Sequence, residues 1–319
     1  MRALSLSFRR CWLDNEGMSK KTLLRAVAAL TVPLLGAALS TTATAAPKVT
    51  AAAAGPLYVA LGDSYASGDG AGSYLRDGTS CYRSLKGYPG LIATAGGYAL
   101  NLQACSGAKI GDVTTMQLSA LDSETAFVTV TVGGNDIGFA STLTTCLGTN
   151  TTACYTAISA AEAKIAALSD DLEGVFKAIK QMAPNAKIVA TAYPRLFNGK
   201  DCSILTSFTS LEMSKLNAGA DKLAVAIQAA AVRATIGYAE VRDPFVKHAV
   251  CDSVPWIRNA QLFSQYESFH PNASGYLYGY KPAVTTALGA TTSSGATMTV
   301  KTGGTTSSDT SRGTVRTVG

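Results

Sequence analysis

The sequence predicts an α/β fold in which a parallel β-sheet is covered by helices. Three observations lead there. Short apolar runs at residues 57–61, 126–132 and 187–192 alternate with longer segments of helical periodicity, above all 155–182 and 206–232, and that alternation is the pattern of βαβ units. The run Ala-Phe-Val-Thr-Val-Thr-Val at 126–132 is rich in β-branched residues and has no charge, as a strand buried on both faces requires. Two of the runs also end abruptly on glycine and polar residues, Gly62-Asp63-Ser64 and Gly133-Gly134-Asn135-Asp136. Ligands of open α/β sheets sit at the carboxyl ends of the strands.

In chain order, the first strand is 57–61, running into Ser64. A serine between a strand and a helix caps the helix or presents a reactive hydroxyl, and the two roles are compatible. Asp63 reads as a structural hydrogen-bonding residue, and Gly68, Gly70 and Gly72 as a turn. Residues 98–105 form the second strand, followed by the turn Ser106-Gly107-Ala108 at the same rim. The third strand, 126–132, ends near Asn135. Gly-Gly-Asn-Asp is good turn chemistry whatever the function, but an amide beside a nucleophile also suits a developing oxyanion. The helix 155–182, a fourth strand at 187–194, the helix 206–232 and a weaker fifth strand at 237–243 complete the pattern, with no internal repeat.

The ends follow other rules. Met18-Ser-Lys-Lys, an apolar stretch from Ala26 to Leu39 and Ala43-Thr44-Ala45 have the plan of a secretory signal over residues 1–45, with Met18 as the expected start. Arg9-Arg10 is only a faint twin-arginine hint. The apolar part is fourteen residues, short of the roughly 20 a spanning helix needs, so export without stable membrane insertion is expected. Residues 289–319, rich in Ser, Thr and Gly, read as a disordered tail. One domain remains, 56–288. The formal net charge of +6 lies in the ends, because residues 46–288 carry eighteen basic and eighteen acidic side chains. A neutral domain gives phosphate backbones little to bind, so nucleic acid is set aside. Of seven cysteines, Cys11 falls in the leader and six remain. An even set in an oxidising compartment favours disulfides; six allow fifteen connectivities, and sequential pairing is the working expectation. No CxxC or HxxxH spacing points to zinc.

A serine nucleophile needs a base, and the chain has two histidines. His270, in Ser-Phe-His-Pro-Asn, sits at a loop–helix junction, with Pro271 suited to the first helical position. His248 lies among apolar residues beside a cysteine, so His270 is the better placed. Ser64 as nucleophile, His270 as base, and the N–H groups of Ser64 and Gly107 with the Asn135 amide as oxyanion donors make a complete set for acyl transfer, with no cofactor and no metal required.

The blocks Gly-Asp-Ser-Tyr-Ala-Ser-Gly, Ala-Cys-Ser-Gly-Ala, Val-Gly-Gly-Asn-Asp and Phe-His-Pro-Asn-Ala-Ser-Gly-Tyr, in this order, resemble those of the SGNH hydrolases of the GDSL family, particularly the secreted actinobacterial esterases and lipases. The letters fall on Ser64, Gly107, Asn135 and His270. The resemblance implies a three-layer α/β/α, flavodoxin-like fold with a five-stranded parallel sheet, and the disulfides Cys81–Cys105, Cys146–Cys154 and Cys202–Cys251. It implies a small-molecule or lipid ester as substrate and a lipase or esterase acting through an acyl-enzyme. A carbohydrate acetyl esterase or a phospholipase uses the same machinery, and a non-catalytic binding protein is the remote alternative. Where the family carries an aspartate three residues before the histidine, this chain has Glu267. Either its side chain or the Ser268 backbone carbonyl orients His270, with the carbonyl slightly favoured. The G-x-S-x-G elbow of the α/β-hydrolases is absent. A monomer is the default for a hydrolase of this size.

Overall fold

The computed structural model describes residues 55–289 and 299–303, and the backbone of 316–317. The expected leader, residues 1–45, lies outside the described residues. The chain enters through β1 (Leu57–Gly62), whose Tyr58, Val59, Ala60 and Leu61 are fully buried. A short α1 (Ser64–Ser67) follows, then α2 (Tyr88–Gly96), β2 (Ala99–Leu102), α3 (Ile110–Asp112) and β3 (Thr125–Thr131). Next come α4 (Phe139–Cys146), the long α5 (Thr151–Met182), β4 (Lys187–Thr191), α6 (Ser210–Ala234), β5 (Gly237–Ala239) and α7 (Lys281–Leu288).

The strands stand in the order β5-β4-β3-β1-β2, all parallel. From β1 the chain first steps outward to β2 and then crosses back to β3, so the order reverses between β1 and β3. A crevice opens at such a switch point beyond the strand ends. Here those ends are Gly62-Asp63-Ser64 and Gly133-Gly134-Asn135, one strand apart. Helices α5 and α6 pack against each other and α2 against α7, giving the two helical layers about the sheet.

Helix boundaries follow their caps. On α5, Cys154, Ile158, Ala161, Ile165, Leu168, Leu172, Val175 and Ile179 are buried at three- and four-residue spacing, the stripe of an amphipathic helix. This helix starts at 151 rather than 155 because the Asn150 side chain accepts from the Ala153 N–H. Helix α6 starts at 210 rather than 206. Thr209 and Glu212 form a reciprocal capping box, while the Asp201 carboxylate holds Thr206 and Phe208 outside the helix. Strand β5 is shorter than expected, since Glu240 turns back onto the Arg242 N–H and guanidinium.

Two strands go beyond the five expected. Within the segment read as tail, β6 (Thr299–Thr302) adds in parallel to β2, with Val300 opposite Leu100, and β7 (Arg316–Thr317) adds antiparallel to β6. Thr-Val-Lys-Thr is β-branched at three of four positions, and β2 offers an open edge on which Val300 becomes buried. Met298 and Val300 stand isolated among Ser, Thr and Gly, too few apolar residues for a period to be read. Among the described residues no helix is long and apolar enough to cross a membrane.

Three disulfides join Cys81 to Cys105, Cys146 to Cys154 and Cys202 to Cys251. Each braces a loop or helix near the carboxyl ends of the strands.

Candidate active site

Ser64 is the first residue of α1, and the cap is Asp63 rather than the serine. The Asp63 backbone is extended, and its carboxyl accepts from the Tyr65 N–H at 3.0 Å. With the capping role taken, the Ser64 hydroxyl is left for His270, whose Nε2 lies 2.7 Å from Oγ. Asp63 also accepts from the Tyr193 hydroxyl at 2.5 Å. It has almost no exposed surface, and that burial pushes its carboxyl up to about 7 despite both hydrogen bonds.

Gly62 makes the sharp turn out of β1. At φ +118° a Cβ would meet the Thr131 carbonyl oxygen at 2.0 Å, so only glycine fits. The buried Gln117 side chain satisfies this residue twice, accepting its N–H at 2.7 Å and donating to its carbonyl at 2.9 Å. The strand end that aims Ser64 is thus held by an amide 55 residues away in sequence.

The His270 ring accepts or donates at both nitrogens. Nδ1 is 3.0 Å from the Ser268 carbonyl oxygen, which fixes Nδ1 as the protonated nitrogen and Nε2 as the acceptor facing Ser64. A carbonyl two residues back reaches its own histidine because Phe269 is left-handed, at φ +60°. That conformation is costly for a bulky residue, and packing holds it: Phe269 is buried against Phe197 and Phe208, and its carbonyl accepts from the Tyr65 hydroxyl at 2.7 Å. Glu267 turns away. One carboxylate oxygen accepts from the Tyr74 hydroxyl at 2.5 Å, and the other lies 3.6 Å from the Arg258 guanidinium. Burial lowers the imidazole to about 4, only partly offset by the neutral carbonyl partner. Pro271 stands outside the helical segment that begins at residue 273 and leads into α7; Asn272 caps it, accepting from the Gly275 N–H at 3.0 Å. His248 lies elsewhere, stacked on Trp256 with Nδ1 on the Val254 carbonyl oxygen.

Gly107 is also left-handed, at φ +79°, with open space where a Cβ would stand. Asn135 donates through Nδ2 to the Ala108 carbonyl at 3.0 Å, bringing the ends of β3 and of the Gly107 turn together. Ser64, Gly107, Asn135 and His270 border one cavity of about 470 Å³. Its walls are mostly apolar, with Phe139, Leu143, Leu147, Leu205 and Leu262 among the lining residues. Sequence reasoning missed Gln117 and Tyr193, which stand in no motif block, and the role of Phe269, which stands in the block around His270 but carries no polar group to single it out. The positions after apolar runs, and the scarcity of histidine, carried the local signals.

The model of the GDSL-like lipase/acylhydrolase family matches residues 60–277. Lipase 1 of Streptomyces coelicolor is 40% identical over 252 residues, covering 78% of this chain and 92% of that one. The crystal structure of an extracellular lipase from Streptomyces rimosus superposes with a TM-score of 0.69 at 39% identity, over 72% of this chain and 99% of that one. The crystal structure of phospholipase A1 from Streptomyces albidoflavus superposes with a TM-score of 0.70 at 34% identity, over 73% and 100%.

Proposed function

The chain belongs to the GDSL-like lipase/acylhydrolase family and is a carboxylic ester hydrolase of the lipase and esterase type; we propose that it works through an acyl-enzyme on Ser64, with His270 as general base. The observation that carries this reading is the 2.7 Å contact between Ser64 Oγ and His270 Nε2, with Nδ1 anchored on a carbonyl. Nε2 takes the hydroxyl proton as Oγ attacks the ester carbonyl carbon. The carbonyl oxygen becomes an oxyanion, received by the N–H groups of Ser64 and Gly107 and the Asn135 amide. Collapse of the tetrahedral intermediate expels the alcohol, which takes the proton from the imidazolium. Water, activated by the same His270, then frees the acid and restores the serine. Because the partner of Nδ1 is neutral, the imidazolium is stabilised less than beside a carboxylate, and the oxyanion donors carry correspondingly more of the transition-state stabilisation.

The apolar walls at Phe139, Leu143 and Leu147 fit an acyl chain rather than a sugar. Medium or long acyl esters are therefore the substrate class, and likeness to a phospholipase A1 makes phospholipids a specific second candidate. Three disulfides fit an oxidising compartment, and together with the leader pattern they support export.

Hydrolysis of p-nitrophenyl esters from acetate to palmitate, beside Ser64→Ala, tests the reading. A maximum at eight or more carbons is expected, with turnover lost by at least about a thousandfold in the variant. Full activity in Ser64→Ala would sink the mechanism. Activity on acetate alone would move the substrate class to small acyl groups.

A further inference from the structure

One carboxyl beside the nucleophile takes no part in that acyl transfer. Asp69 has no exposed surface, and its two oxygens bridge two serines. The Ser67 hydroxyl lies 2.8 Å from Oδ1 and the Ser106 hydroxyl 2.7 Å from Oδ2. The first of these ties it to α1, because Ser67 Oγ also lies 3.1 Å from the Ser64 carbonyl oxygen, and the Asp69 N–H donates to that same oxygen at 3.0 Å. The Tyr276 hydroxyl fixes the Asp69 carbonyl at 2.9 Å. On the far side Ser106 supplies the carbonyl half of the peptide whose N–H belongs to Gly107. With φ at +79° and open space around its Cα, Gly107 has no side-chain packing to set its orientation. That peptide takes its direction from its neighbours: Ser106 is held by its side chain on Asp69 and by its N–H on the Cys81 carbonyl, and Ala108 by its carbonyl on Asn135 and by its N–H on the Cys105 carbonyl.

We propose that Asp69 is a positioning residue of the reaction: by holding Ser106 against the nucleophile's own turn, it fixes the Gly107 N–H relative to Ser64 Oγ. The inference rests on Gly107 acting as an oxyanion donor. A misplacement of about 1 Å in such a donor is worth up to about a hundredfold in rate, so a buried bridge between the two halves of the site has a catalytic consequence beyond stability. The charge state matters too. The groups facing Asp69 are Asp63 from the end of β1, Glu267 with its Arg258 neighbour from the loop before His270, and the hydroxyls of Tyr65, Tyr74, Tyr266 and Tyr276. Burial, with the two acidic groups adding to it, pushes the carboxyl up to about 8 against the pull of both serines. At neutral pH it largely holds its proton. Above that range it is a buried anion one residue from the oxyanion site and opposes the charge forming there.

Steady-state kinetics on p-nitrophenyl butyrate with Asp69→Ala, Asp69→Asn and Ser106→Ala, normalised to active sites titrated with a fluorophosphonate, tests this. Asp69→Ala and Ser106→Ala are expected to lower kcat about ten- to a hundredfold with KM within twofold. Asp69→Asn retains an acceptor and a donor for the two serines, so it is expected to rescue kcat to within about threefold at pH 7. It should also remove the decline in kcat expected of the parent enzyme between pH 7 and 9. Should Asp69→Ala not fold, Ser106→Ala carries the test. The proposal is overturned if Ser106→Ala keeps kcat within twofold, if the loss falls on KM or on the titrated fraction, or if the Asp69→Asn profile overlays the parent's. Asn135→Ala is run alongside: loss of kcat there with none in Ser106→Ala removes only the positioning role, whereas no loss in Asn135→Ala removes the oxyanion reading itself.

Discussion

Glu267 stands three residues before His270, yet its carboxylate faces Tyr74 and Arg258 while the Ser268 carbonyl faces the ring. The pH dependence of the reaction separates the two partners. A carboxylate beside the imidazole would raise its affinity for a proton; burial with only a neutral acceptor lowers it to about 4. The base is active when neutral, so kcat/KM is expected to rise through about pH 4 and to be level by pH 5 to 6. A pH–rate profile of the parent and Glu267→Gln checks this. The variant should keep the acid limb and lose no more than about threefold in kcat, since glutamine still accepts from Tyr74. An acid limb near 6.5 or above, or one that moves in Glu267→Gln, would assign the orienting role to Glu267 instead.

At the scale of elements, α4 forms part of the cavity wall. It and the following residue bring Phe139, Leu143 and Leu147 to the wall, and the Cys146–Cys154 disulfide pins its end to the start of α5. A bridge closing so short a loop contributes about 2–3 kcal/mol to stability. Replacing both cysteines by serine is therefore expected to lower the melting temperature, and to reduce octanoate turnover several-fold more than acetate turnover, because only the longer chain reaches α4. Equal losses on both esters would mean that α4 does not contact the acyl group. This helix was not anticipated: Phe-Ala-Ser-Thr-Leu-Thr-Thr-Cys carries only two large apolar residues, too few for a period to emerge. The main strands and the two long helices were legible because burial on both faces, or on one stripe, imprints itself locally on residue choice. Ser64, Gly107 and Asn135 were legible for the complementary reason, as polar or glycine residues standing where apolar runs stop, and His270 as one of two histidines, placed at a loop–helix junction. Contacts such as Gln117 to Gly62 or Tyr193 to Asp63 leave no such trace, since they join residues 55 and 130 apart and depend on register between elements. Strand β6 is the same case at larger size, its place set by the free edge of β2.

For the molecule as a whole, the buried acids at the strand ends tie stability to pH in an unusual direction. Asp63 and Asp69 are raised to about 7 and about 8, chiefly by burial, so between pH 4 and 8 the folded chain binds protons that the unfolded chain has released. A group with a raised folded value contributes stability below its unfolded pKa and loses it as pH rises through the folded one. His270 acts oppositely between about 4 and 6.5, where the unfolded chain binds the extra proton, but it is one group against two. Asp77 and Glu240, lowered in the fold by hydrogen bonds from Arg83 and Arg242 that outweigh burial, weaken the fold only as pH drops below the ordinary carboxylate range. The sum places maximal stability near pH 4 to 5, followed by a decline to pH 8.5. Each tenfold difference in proton affinity between the folded and unfolded chains is worth about 1.4 kcal/mol. Solvent relaxation around buried charge reduces the full sum, so a fall of several degrees in melting temperature is expected for a domain of this size. Calorimetry of the parent and Asp69→Asn from pH 4.5 to 8.5 measures it: the parent should lose stability steadily, and the variant should lose less. A melting temperature flat or rising over that range would mean that Asp63 and Asp69 ionise in the fold near their ordinary values. With His270 already neutral from about pH 5, the enzyme is expected to combine a working base with its most stable fold in mildly acidic solution.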